Sequence, residues 1–140
     1  MTTSIDTNVI IALWDADDAL HRAALEALDA ALGRGSLVIC GAVYAELLAA
    51  PGRTEAFVDR FCEETRIEVE WELRERAWRE AGRAFQSYAV RRRKQRGTKP
   101  RRILADFLIG AHAAVSGYKL LTLDAGIYQT SFPKLQIATA

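Results

Sequence analysis

Short runs of consecutive apolar residues alternate along the chain with longer stretches whose apolar positions recur every three or four residues. That pattern predicts strands alternating with helices. Thr3 to Asp6 reads as a first strand with Asp6 at its carboxyl end, and Thr7-Asn8 supplies cap-forming side chains before Val9 to Trp14. After Asp17 or Asp18 as cap, Leu20, Ala24, Leu25, Leu28 and Leu32 keep helical spacing until Gly33 and Gly35 stop them. Leu37 to Cys40 is the second strand, and Gly41 leads into a helix over Ala42 to Ala50 that Pro51-Gly52 closes. Phe57, Val58, Phe61 and Cys62 mark a helix over Thr54 to Thr65, and the alternation of Arg66 to Glu70 predicts a third strand near an edge.

Trp71 to about Arg93 fits one long helix or two short ones, followed by a basic loop. Ile103 to Ser116 is helical, with Asp106 in its first turns and Gly117 as a left-handed stop. Lys119 to Leu123 is a strand ending at Asp124, and Leu135 to Ile137 is the last strand. Strands alternating with helices argue for an α/β fold whose mostly parallel sheet is covered on both faces. With 140 residues and no repeat, linker or low-complexity tract, one domain over residues 1–140 is expected.

Against this apolar background four acids stand almost alone. Asp6 is the only charged side chain between Met1 and Asp15, and Glu46 the only one between Arg34 and Arg53. Asp106 is alone between Arg102 and Lys119, beside neutral His112, and Asp124 is alone between Lys119 and Lys134. Acids inside segments that read as core must be neutralised by a shifted pKa, by hydrogen bonds or by a cation. Asp6 and Asp124 fall at carboxyl ends of strands, where open α/β sheets form their crevice, and Glu46 and Asp106 lie on helices that reach the same end.

Two unit charges about 4 Å apart repel by roughly 4 kcal/mol at an effective dielectric of about 20, so clustered carboxylates need a counter-ion. Hard oxygen ligands without thiolates or paired histidines suit Mg²⁺ or Mn²⁺. A carboxylate site holding such ions is equipped for phosphodiester hydrolysis. In the two-metal scheme Asp6 bridges the ions with help from Asp106 and Asp124, while Glu46 binds one ion or orients its water, and the products carry 5′-phosphate and 3′-hydroxyl ends.

Net charge is only +1, yet Arg91, Arg92, Arg93, Lys94, Arg96, Lys99, Arg101 and Arg102 crowd one stretch with no acid inside it. A charge run is ordinarily a solvated loop. This one lies just before Asp106, so a polyanion held on it would be delivered to the acids. Cys40 and Cys62 read as small buried hydrophobes rather than a disulfide or a zinc pair. The apolar run Val9 to Trp14 is too short for a signal-peptide core or a membrane span, which gives the expectation of a cytoplasmic protein with no membrane partner.

The segments Ile5-Asp6-Thr7-Asn8-Val9, Val43-Tyr44-Ala45-Glu46-Leu47, Ala105 to Ala113 and Leu121-Thr122-Leu123-Asp124 resemble, in order and spacing, the signature segments of PIN-domain ribonucleases. The chain looks most like the VapC toxins of toxin–antitoxin modules, over essentially its whole length. The resemblance implies a three-layer α/β/α sandwich, an Mg²⁺- or Mn²⁺-dependent endoribonuclease acting on RNA, a homodimer, and inhibition by a cognate antitoxin. It matches Asp6, Glu46, Asp106 and Asp124 to the family's acidic quartet, Thr122 to a hydroxyl residue near that site, and places Asn8 close to Asp6. Many relatives carry a further acid soon after the fourth, which Ala125 to Tyr128 does not provide.

Taken singly, Asp6 could cap a helix and Asp124 could hold a turn. Glu46, without a partner at helical spacing, resists that account. His112 lies six positions beyond Asp106 and reads as a packed, hydrogen-bonded histidine, His21 as a surface residue, and Trp14, Trp71 and Trp78 as core or subunit contacts. The competing function is a catalytically inactive module whose acids dock RNA or a basic partner protein. An aspartyl-nucleophile phosphatase would need an aspartate where Asn8 stands, and no GxxxxGK[ST] motif marks a nucleotide-driven machine.

Overall fold

Every strand of the central sheet is parallel to its neighbours. The computed structural model describes residues 1–95 and 102–139. In chain order these form β1 (Thr2–Ile5), α1 (Thr7–Trp14), α2 (His21–Arg34), β2 (Ser36–Cys40), α3 (Gly41–Leu48), α4 (Glu55–Thr65), β3 (Ile67–Glu70), α5 (Glu75–Lys94), α6 (Leu104–Ser116), β4 (Lys119–Thr122), α7 (Ala125–Ser131) and β5 (Ile137–Thr139).

The sheet order is β3-β2-β1-β4-β5, with β1 in the centre. The chain winds outward from β1 through β2 to β3, then crosses back to β4 and out to β5. Right-handed crossovers taken in opposite directions put α1, α2 and α4 on one face and α5, α6 and α7 on the other, making three layers. A parallel sheet covered on both faces needs unbroken apolar strands, and Leu37, Val38, Ile39 and Cys40 of β2 are all buried. The edge strand β3 alternates instead, with Ile67 buried and Glu68 exposed. Winding reverses between β1 and β4, so a crevice opens beyond their carboxyl ends, where β1 stops at Ile5 and β4 at Thr122.

Several boundaries differ from the sequence expectation for local reasons. Asp6 itself caps α1, accepting from the Thr7 amide at 2.8 Å, so Thr7 and Asn8 are helical. Asp18 does not cap α2. Its carboxylate accepts from the Leu20 amide, and the helix opens one residue later. The pattern expected from Trp71 to about Arg93 is one long helix that starts later, at Glu75, and ends at Lys94 as expected, so that Arg91 to Lys94 form its last turn, where their charge complements the helix dipole. The last strand starts at Ile137 because Leu135 is tied into a turn through its amide to the Phe132 carbonyl.

Helix α7 has no counterpart among the elements expected from the sequence pattern. It has seven residues, includes Gly126 and carries no charge, but Tyr128 and Phe132, four apart, both turn inward and are buried. Phe132 lies against α6 at Gly110, where an added Cβ would overlap its ring. Gly110→Ala is therefore expected to lose about 1–3 kcal/mol in urea unfolding. An unchanged midpoint would show that the ring moves aside freely.

Cys40 and Cys62 are free and buried, as expected. Trp14 is half-buried between Phe57 and Phe61, whereas Trp71 and Trp78 are mostly exposed and do not belong to the core. His21 is tied down rather than a plain surface residue, its Nδ1 donating to the Ala12 carbonyl at 3.0 Å. No described helix is long and apolar enough to cross a membrane.

Candidate functional site

A cleft of about 520 Å³ occupies the crevice, and Asp6, Asn8, Glu46, Asp106 and Asp124 all line it. Each acid is delivered by a different element: Asp6 by the end of β1, Glu46 by α3, Asp106 by the first turn of α6, and Asp124 by the two-residue link between β4 and α7. Asp6 is only 5% exposed. Three donors surround it: the Thr7 amide at 2.8 Å on Oδ1, with the Thr122 hydroxyl at 2.8 Å and the Tyr128 hydroxyl at 2.9 Å on Oδ2. Even so, burial outweighs them and, with Asp106 nearby, pushes the Asp6 carboxyl up to about 6. An ordinary capping aspartate would sit in water and pay no such penalty.

Thr122 is fully buried and links the two strand ends. Its hydroxyl donates to Asp6 and accepts from the Asp124 amide at 3.0 Å, which ties Asp124 to Asp6. Asn8 braces the same turn, its Oδ1 accepting from the Leu123 amide at 3.1 Å. Burial also raises the Asp106 carboxyl, which reaches back toward the Ile103 amide at a long 3.4 Å. Glu46 has a hydroxyl partner unseen in the sequence pattern, since Thr7 Oγ1 donates to it at 2.6 Å.

Asp124 is not without a charged partner. Arg102 Nη1 lies 2.6 Å from its Oδ2, and Asp124 in turn holds that guanidinium more firmly protonated. The Arg102 amide donates to the Tyr88 hydroxyl at 2.7 Å, and Tyr88 packs with Phe85 and Phe107, so its backbone is anchored on aromatic rings. Of the remaining basic residues, Arg91 and Arg92 line an adjoining groove with Arg102, and Arg93 and Lys94 are exposed on the last turn of α5. Arg96, Lys99 and Arg101 lie outside the described residues.

Tyr128, Thr7 and Asp18 are cleft residues that sequence reasoning does not assign to the site. Tyr128 carries a signal in hindsight, standing four residues after Asp124 where one helical turn returns to the same face. His112 is away from the cleft, buried on α6 with Nε2 2.8 Å from Glu70 Oε1, as expected of a packed histidine. Glu70 also accepts from the Tyr118 hydroxyl.

The donor set fits a hard divalent cation: carboxylates only, one of them buried at a cost, and an arginine already serving as counter-cation. Among the described residues no three acids, histidines or cysteines stand close enough to ligate a single ion directly.

A doubly covered parallel sheet with acids gathered at its switch point defines a class of α/β protein. The PIN-domain family profile matches residues 4–133, and the chain belongs to that family. No curated protein sequence matches it. Among solved structures it is similar to VapBC-1 from nontypeable Haemophilus influenzae, at 20% identity and a TM-score of 0.69 over 99% of this chain and 98% of that one. VapBC2 from Rickettsia felis, solved bound to a promoter DNA fragment, gives 19% and 0.66 over 99% and 98%. VapC20 of Mycobacterium tuberculosis, described as a sarcin–ricin-loop-cleaving toxin, gives 18% and 0.59 over 96% and 98%. At those identities the likeness is one of fold, and it agrees with the predicted α/β/α architecture.

Proposed function

We propose that this protein is an Mg²⁺- or Mn²⁺-dependent endoribonuclease and the toxin of a toxin–antitoxin pair. The observation that carries the reading is the delivery of Asp6, Glu46, Asp106 and Asp124, from four separate elements, into one cleft of a PIN domain. A similar fold in a described RNA-loop-cleaving toxin supports RNA as the substrate.

Asp6, Asp106 and Asp124 would hold the ion, one or two of them directly and the rest through its waters, with Glu46 beside them. Bound there, a divalent cation supplies Lewis-acid polarisation of a phosphoryl oxygen and activation of the attacking water. The chain's own residues do the rest. Thr122 and Tyr128 keep the Asp6 carboxylate in one orientation, and Asn8 and Thr122 fix the turn that presents Asp124. Glu46, oriented by Thr7, is the group suited to receive a proton from the attacking water. Water attack of this kind leaves 5′-phosphate and 3′-hydroxyl ends.

Exposed Leu25, Leu32, Trp71 and Trp78 supply apolar surface for partners, in keeping with a homodimer and a separate antitoxin acting in the cytoplasm. The purified protein is expected to cut single-stranded RNA with Mn²⁺ or Mg²⁺ and to stop on chelation. Chemical analysis of the ends decides the mechanism, because a 2′,3′-cyclic phosphate would mean attack by the ribose hydroxyl and sink the water-attack reading.

A further inference from the structure

Beside the acidic cleft lies a groove of about 480 Å³ lined by Arg91, Arg92, Gln95 and Arg102, among others, with no acid in its described lining. The two depressions meet at Arg102, which lines both. Charge therefore changes sign across one side chain. An RNA strand whose scissile phosphate enters a cleft of carboxylates is repelled by them, and it needs cations on the flanking phosphates to stay there. The groove presents guanidinium forks, the side chain best shaped for phosphate oxygens.

We propose that this groove binds a non-scissile phosphodiester of the RNA strand, and that Arg102 is shared between that phosphate and Asp124. The inference rests on the nuclease reading above. With its amide held by Tyr88, Arg102 keeps its backbone fixed while its side chain exchanges partners. The side chains of the pair with Asp124 are 34% and 44% exposed, so the pair is weak and easily traded. A divalent cation arriving at Asp124 displaces the guanidinium, which then faces the groove and its phosphate. Arg102 thus serves as the cleft's own counter-cation in the absence of metal and as a positioning residue for RNA in its presence. The plainer account makes Arg91 a cation complementing the α5 terminus and Arg102–Asp124 a surface ion pair. That account leaves metal and RNA affinity untouched by either residue.

The test uses the full chain and two measurements. Calorimetry with Mn²⁺ alone is expected to show Arg102→Ala binding about threefold to fivefold more tightly than wild type, since a competitor has gone. Fluorescence anisotropy with a cleavage-resistant phosphorothioate oligonucleotide in Mn²⁺ is expected to show a shallower salt dependence in Arg102→Ala and in Arg91→Ala. The slope should fall by about 0.7 for each phosphate that is no longer neutralised, and Arg102→Lys should restore most of it. Weaker or unchanged Mn²⁺ binding in Arg102→Ala overturns the sharing of Arg102. Unchanged salt slopes in both alanine variants overturn the phosphate groove, while wild-type binding of Mn²⁺ and RNA leaves the nuclease reading intact. A wild-type protein that binds neither overturns both.

Discussion

Asp6→Asn is expected to lower RNA cleavage by about a thousandfold and, in the same protein, to reverse its effect on stability between acid and alkaline pH. The first effect follows from removing the most buried carboxylate of the cleft. The second follows from linkage. Asp6 titrates near 6 in the folded chain against 3.8 for a free side chain, so the native state holds its proton more tightly than the unfolded state does. A raised acid pKa lowers stability as pH climbs from about 4 to about 6, and the penalty, roughly 3 kcal/mol, is complete above that. Asparagine carries no charge and escapes the penalty, but it has one acceptor oxygen where Asp6 uses two, and it forfeits about 1–2 kcal/mol of hydrogen bonding. In chelator, the variant should therefore be less stable than wild type at pH 4 and more stable at pH 8, as read from urea midpoints. At pH 7, Mn²⁺ should stabilise wild type and not the variant. Equal destabilisation at both pH values would falsify the claim that Asp6 is held ionised against the cost of its burial.

The same physics explains what is legible in the sequence. An acid in an apolar stretch is conspicuous because apolar neighbours in the chain are often apolar neighbours in space, and that holds for Asp6, buried at the end of β1, and in part for Glu46, half-buried in α3. The parallel sheet is legible for a related reason, since strands buried on both faces, such as Leu37 to Cys40, have nowhere to put polar residues. What escapes are contacts set by the fold rather than by the local chain. Arg102 reaches Asp124 across 22 positions, Thr7 reaches Glu46 across 39, and Tyr128 reaches Asp6 across 122. No periodicity encodes such pairs. Helix α7 escapes because seven residues that include Gly126, Ile127, Thr130 and Ser131 are too short and too weakly helical to form a helix on their own, and it is the packing of Tyr128 and Phe132 that holds them in place. The basic segment divides similarly: its first residues have helical context and join α5, while Arg102 is claimed by a carboxylate on the other side of the cleft.

The Arg102 pair also bears on the inactive-module alternative. A cleft evolved only to dock a basic partner would have its acids exposed and free of internal neutralisation, so that the partner's cations meet ionised carboxylates. Here Asp6 is sealed beneath two hydroxyls, and Asp124 already carries an arginine from its own chain. Such an arrangement resists a bulky guanidinium or ammonium partner reaching Asp6 and favours a small ion that enters with its waters.

Tyr128→Phe should separate the organising role of the hydroxyls from mere packing. The ring is 1% exposed and fills the space beneath the cleft, and phenylalanine keeps that volume. What is lost is one donor on Asp6 Oδ2, at 2.9 Å. Burial and the neighbouring Asp6 charge push the Tyr128 phenol up, far beyond physiological pH, so in wild type it remains a donor throughout. That donor is one of the groups lowering the Asp6 pKa, second only to Thr122 among its side-chain partners. Without it the carboxyl keeps its proton to higher pH, and a protonated carboxyl competes poorly for a divalent ion. At limiting Mn²⁺ the acid limb of the kcat/KM profile is expected to move to higher pH. The loss near pH 6 should be about threefold to fivefold and should largely recover by pH 8, while unfolding changes by about 1 kcal/mol. A uniform loss across the profile would indicate damaged packing instead, and an unmoved limb would show that Asp6 is not the group whose ionisation gates the reaction.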